Sequence, residues 1–148
     1  MTAPGPAPEI LRVTTALADL SRLYPWLEGA AARFGLPLPL VQKMQVVAEE
    51  AVMNVAMHAY APGSGELIEV RLCMAPAVVE LAVEDSGPEF NPLTSAEKPQ
   101  PASLVDAQAG GLGIKLVRRY CQDISYTRQE GRNLLRLRFP LEPPSVTA

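Results

Sequence analysis

The stretch LVQKMQVVAEEAVMNVAMHAY, residues 40–60, decides the fold. Its apolar side chains recur at Val41, Met44, Ala48, Ala51, Val55 and Ala59, the three-and-four spacing of a helix face marked for burial. From Ala51 to Met57 every residue is apolar except Asn54. Asparagine is a poor helix former and costly to bury unpaired, so something must satisfy that amide. At about 100° per residue, Glu50, Asn54 and His58 fall within about 80° of one another and form a polar column, while Glu49 points well away. A carboxylate and an amide oxygen one turn apart suit a hard cation such as Mg²⁺, directly or through its waters. Glu50 is also placed to take a proton from an attacking hydroxyl. The plainer alternative is a solvated or internally hydrogen-bonded edge of a core helix. His58 reads as a hydrogen-bonded structural residue with a supporting role.

Upstream of this helix, Glu9 to Thr14 reads as a strand and Leu17 to Phe34 as an amphipathic helix, ended by Gly35 and Pro37 and bent or interrupted at Pro25. Downstream, residues 61–65 form a turn. Leu67 to Met74 and Val78 to Asp85 then read as a hairpin joined through Ala75-Pro76. Pro88, Pro92, Pro99 and Pro101 stand in a long polar loop over residues 88–110, a length usually reserved for lids and binding loops. Ile114 to Cys121 reads as a helix, and Ile124 to Arg128 with Leu134 to Phe139 as an antiparallel pair around Gly131. The expected organisation is one domain over residues 9–140, with flexible segments at 1–8 and 141–148. Without strict strand–helix alternation, the order predicts an α+β arrangement: helices stacked on one face of a mostly antiparallel sheet.

Composition agrees and narrows the function. The 148 residues are 48% hydrophobic and 20% charged, which suits one compact domain. A net charge of −3 provides no basic field for nucleic acid or an anionic membrane. No apolar run reaches the roughly 20 residues of a membrane span, and residues 1–8 lack the pattern of a signal peptide. A cytoplasmic location is therefore expected. Cys73 and Cys121 form no CxxC or His-rich pair that would hold zinc.

Two further segments carry chemistry. In Val83-Glu-Asp-Ser-Gly-Pro88 a strand with alternating Val79, Leu81 and Val83 ends on a carboxylate and then a glycine. Gly87 lets backbone approach a flat ligand, and Asp85, an acceptor only, can read an exocyclic amino group such as that of adenine. A plain turn is the alternative. Gly110-Gly-Leu-Gly113 opens a helix, where free amides make a site for phosphate; a lid hinge is equally open. No Gly-Lys-Ser/Thr follows it, and it does not match G-x-G-x-x-G.

Together, Glu50-Ala-Val-Met-Asn54-Val-Ala-Met-His58, Asp85-Ser-Gly87 and Gly110-Gly-Leu-Gly113 resemble the N box and the two glycine boxes of histidine-kinase-like ATPases. The phrase Glu-Ala-x-x-Asn-x-x-x-His-Ala and the small size resemble the anti-sigma-factor serine/threonine kinases of bacterial partner-switching systems. That resemblance, over residues 9–140, implies a two-layer Bergerat sandwich with a mixed, mostly antiparallel sheet. It also implies Mg-ATP held between the long helix and the lid. The substrate would be a serine or threonine of an STAS-type anti-sigma-factor antagonist, whose unphosphorylated form releases a bound sigma factor; a homodimer is also implied. By position, Glu50 matches the general base, Asn54 the Mg²⁺ ligand with Glu50 assisting through water, and Asp85 the adenine reader. Gly87 lies beneath the base, and Gly110, Gly111, Leu112 and Gly113 wrap the phosphates.

The sequence departs from the family at several positions. Glu89 replaces a second glycine, restricting the backbone and adding negative charge, so altered nucleotide binding and a nucleotide-gated binder without kinase activity form the alternative reading. Lys115 stands where a small hydroxyl residue is common; it reaches a phosphate or lies in solvent. Lys98 is the lid's candidate clamp on the terminal phosphate, or a solvated loop lysine. Asn133, where paired threonines are common, is expected to contact the base.

Overall fold

The computed structural model describes residues 6–59, 66–95 and 117–141. In chain order the elements are β1 (Glu9–Thr14), α1 (Leu17–Leu20), α2 (Leu23–Arg33), α3 (Leu38–Asn54), a π-helical segment (Val55–Ala59), β2 (Leu67–Ala75), β3 (Val78–Asp85), α4 (Pro92–Ser95), α5 (117–120), β4 (Asp123–Gln129) and β5 (Arg132–Pro140). The strands form a five-stranded sheet in the order β1-β2-β3-β5-β4, with every pairing antiparallel. The expected order of strands along the chain holds, and the long helix packs on one face of the sheet. The parallel pairing of a mixed sheet is not found among the described residues.

Alternation explains why one sheet face is covered. Leu11 and Val13, Ile68, Val70 and Leu72, Val79, Leu81 and Val83, and Leu135, Leu137 and Phe139 are all buried and share a core with Met44, Val47, Ala48, Ala51 and Val52 of α3. A period of 2 on the strands meets a period of 3.6 on the helix, giving two layers. The opposite sheet face carries an ion-pair ladder: Arg71 bonds Glu69 and, at 2.7 Å, Glu84, which also pairs with Arg132.

Local chemistry sets the boundaries. The helix expected over 17–34 is two helices, and the break falls at Ser21-Arg22 rather than at Pro25. Pro25 occupies the first turn of α2, where its missing N–H is no loss, and its ring forbids the helix from running back through residue 21. The first α2 bond is Trp26 N–H to the Arg22 carbonyl at 3.2 Å. Gly35, with φ 71, ends α2 in a Schellman motif: Leu36 N–H reaches the Ala31 carbonyl at 3.0 Å and Gly35 N–H the Ala32 carbonyl at 3.1 Å. The β4–β5 turn places Glu130 at φ 52 and Gly131 at φ 76, the double left-handed pair of a type I′ hairpin, and so fixes Arg128 opposite Asn133.

The central helix differs from expectation at its end. It begins at Leu38, after Pro37 in extended conformation, and its α winding stops at Asn54; residues 55–59 are π-helical. A π turn takes more residues than an α turn, so the 100° step that aligned His58 with Asn54 does not hold. The His58 side chain lies outside the described residues.

Candidate functional site

The residues expected to carry the chemistry stand at the end of α3 and in the turn after β3. Along α3, Val41, Met44, Val47, Ala48, Ala51 and Val52 are buried, and the same face carries Asn54 into the interior at 8% exposure. Among the described residues the Asn54 amide has no hydrogen-bond partner. One turn earlier, Glu50 is partly buried. Desolvation first, and then the neighbouring Glu49 carboxylate, raise its pKa above the ordinary 4.5. Glu49 itself is exposed and accepts a hydrogen bond from the Tyr24 hydroxyl at 2.6 Å, so it does point away from the Glu50–Asn54 side. That bond, with burial, pushes the Tyr24 hydroxyl up to about 12.

The helix ends in a π-helical segment, a winding that recurs at functional sites. The chain next enters β2 at Leu67, and Ile68 pairs with Asp85, which sets the Asp85 turn at the end of the sheet where β2 begins.

Asp85 is 2% exposed. Its Oδ2 accepts the Gly87 N–H at 2.8 Å and Nδ2–H of Asn133 at 3.0 Å. Asn133 is 4% exposed and fully engaged. Its Oδ1 accepts from the Tyr126 hydroxyl at 2.5 Å, Arg128 Nη1 at 3.1 Å and the Phe90 N–H at 3.2 Å. Its Nδ2 also donates to the Pro88 carbonyl at 2.9 Å and the Gly87 carbonyl at 3.5 Å. Arg128 donates to the Gly87 carbonyl at 2.7 Å.

The sequence expectations divide accordingly. Asp85, Gly87 and Asn133 come together in one hydrogen-bonded turn. Asn133 meets that turn rather than presenting a free amide edge to a base, because its oxygen and its N–H groups are already taken. Glu50 and Asn54 are one turn apart on α3, and no hydrogen bond links them to the Asp85 turn among the described residues. Glu89 is exposed, so its side chain does not fill the interior of the turn. Lys98, Gly110, Gly111, Leu112, Gly113 and Lys115 lie outside the described residues. Tyr126 and Arg128 were missed by the sequence reading. Their signal was the Glu130-Gly131 turn, whose two-residue register makes Arg128 face Asn133 and puts Tyr126 two residues along the same strand.

A nucleotide's metal fits this chemistry. Among the described residues no group of three or more His, Cys, Asp or Glu side chains is placed to hold an ion. Mg²⁺ commonly takes only one or two protein oxygens and completes its shell with phosphate and water. The Asn54 amide, on a residue 8% exposed and without a hydrogen-bond partner among the described residues, stands one turn from the Glu50 carboxylate and is a donor set of that kind.

Residues 13–139 match the family of the histidine kinase-like ATPase domain. With that match spanning most of its length, the chain belongs to the histidine kinase-like ATPase domain family. Within that family it groups with serine/threonine-protein kinases. It is 34% identical over 88% of its length to the serine/threonine-protein kinase BtrW of Bordetella bronchiseptica, of which it covers 92%. It is 27% identical over 76% of its length to the serine-protein kinase RsbW of Bacillus mycoides, covering 72% of that protein.

Two solved structures share the fold. The RsbU and RsbW domains of a Mycobacterium tuberculosis protein superpose with a TM-score of 0.61 at 19% identity, over 97% of this chain and 34% of that one. The chain thus spans about a third of that longer protein. The SiaB–SiaC complex of Pseudomonas aeruginosa gives a TM-score of 0.57 at 14% identity, covering 88% of each chain. No described helix is long and apolar enough to cross a membrane.

Proposed function

We propose that the chain transfers the terminal phosphoryl group of Mg-ATP to a serine or threonine of a small STAS-type antagonist protein in the cytoplasm, and that it alternately sequesters a sigma factor in a partner switch. The observation that carries the reading is Asn54, 8% exposed and without a hydrogen-bond partner among the described residues, one turn from Glu50, a carboxyl whose pKa is raised. In this reading Asn54 is a Mg²⁺ ligand and Glu50 takes the proton of the attacking hydroxyl. A carboxyl with a raised pKa is the better base for that step. Mg²⁺, when bound, neutralises charge on the phosphates, and the protein supplies position and one proton acceptor. Asp85 receives the amino group of adenine above Gly87. Lys98, Lys115 and the residues 110–113 are proposed to meet the phosphates.

The alternative, a nucleotide-gated binder without transfer activity, rests on the charge and backbone restriction of Glu89 and on the proline-loaded lid; Glu89 is exposed, so its side chain does not fill the turn. A direct test incubates the purified chain and its co-purifying partners with radiolabelled ATP. Label on a partner serine or threonine supports the kinase reading. ATP binding with every partner unlabelled would replace it with the nucleotide-gated binder. Homodimerisation, also proposed, is checked by sedimentation.

A further inference from the structure

We propose that Tyr126, Arg128 and Asn133 act as a positioning clamp that gives the Asp85 site its preference for a 6-amino purine; this rests on the ATP reading above. None of the three need touch the nucleotide. Three donors converge on one oxygen, Asn133 Oδ1: the Tyr126 hydroxyl at 2.5 Å, Arg128 Nη1 at 3.1 Å and the Phe90 N–H at 3.2 Å. An amide whose oxygen is so loaded is polarised, and its N–H groups become stronger donors. They are spent on Asp85 Oδ2 at 3.0 Å and the Pro88 carbonyl at 2.9 Å.

The consequence falls on Asp85. Its Oδ2 is filled by Asn133 and by the Gly87 N–H at 2.8 Å, and among the described residues Oδ1 receives no hydrogen bond. The carboxylate is thus held with one oxygen committed to the protein and one left for a ligand's donor. Adenine offers an amino hydrogen there. A purine with no 6-substituent offers nothing, and one with a 6-carbonyl sets acceptor against acceptor. Arg128 adds a second hold on the same turn through the Gly87 carbonyl at 2.7 Å.

The test measures the affinities of ATP and of purine riboside 5′-triphosphate, which lacks the 6-amino group, for the wild type, Tyr126→Phe and Arg128→Leu. Melting temperatures without nucleotide are recorded alongside. A charge-assisted hydrogen bond should make the wild type prefer ATP by about tenfold or more. The clamp requires each variant to shrink that ratio to about threefold or less, through weaker ATP binding, with the melting temperature little changed. Equal losses for both nucleotides, or an unaltered ratio, would overturn the clamp while leaving the ATP site standing. A wild type that binds neither nucleotide would remove the ATP reading and the clamp with it. Because the two substitutions act on different donors, failure of one variant to fold leaves the other to decide.

Discussion

Replacing Glu50 by Gln should separate stability from catalysis. Glu50 is partly buried on α3, carries no hydrogen bond among the described residues, and has its pKa raised first by desolvation and then by Glu49. Above its folded-state pKa the carboxylate is charged in a site that disfavours charge. The sign follows from linkage: between the unfolded and the raised folded pKa the native state holds the extra proton, so stability falls as pH rises through that window. The window opens at the ordinary value of 4.5 and extends upward. Glu50→Gln removes the charge at nearly constant volume. The variant should therefore melt higher than the wild type at neutral pH, and the difference should close as the pH is lowered through the window.

The same change deletes the proposed proton acceptor, and loss of a positioned general base costs about 10²–10⁴-fold in rate. The assay pairs thermal melts across pH with phosphoryl transfer to a partner protein. A variant that transfers phosphate at the wild-type rate would refute the role of Glu50, and one that melts lower at neutral pH would refute the electrostatic reasoning.

Other substitutions probe the scaffold. Met44→Ala, at a fully buried position between α3 and the sheet, should destabilise by about 2–5 kcal/mol in urea unfolding. Gly131→Ala places a Cβ at φ 76 in the I′ turn and should cost about 1 kcal/mol by the same measurement, although nothing crowds the site within 4 Å. Arg71→Met strips the guanidinium from Glu69 and Glu84 and should cost about 1–3 kcal/mol near neutral pH. Glu84 is desolvated, which alone would raise its pKa, yet Arg71 and Arg132 bring it below 4.5. Its stabilisation is thus complete above 4.5 and lost as the pH falls through the lower folded value, so the cost of Arg71→Met should shrink in acid.

Much of this architecture was legible in the sequence because burial writes itself as periodicity. The spacing of Val41, Met44, Ala48 and Ala51 placed α3, and alternation at Val79, Leu81 and Val83 placed β3 with Asp85 at its end. The ends of elements were harder. The break before Pro25 depends on where the preceding carbonyl lies, and the π winding after Asn54 leaves no pattern in a run that is apolar on every side. Side-chain networks were the least legible. Asn133 was singled out by position, but its partners Tyr126 and Arg128 become visible only once the Glu130-Gly131 turn fixes the register of β4 on β5. A lone polar residue in a strand does not say whether its amide faces a ligand or a neighbouring turn.

If Asn54 holds the magnesium of a bound ATP, its removal must uncouple ATP affinity from Mg²⁺. Titration calorimetry of ATP with and without Mg²⁺, on the wild type and on Asn54→Ala, measures that coupling. ATP should bind the wild type more tightly with Mg²⁺, and the variant should lose that enhancement while keeping its metal-free affinity. Equal enhancement in both proteins, or no binding of ATP by the wild type, would contradict that role of Asn54.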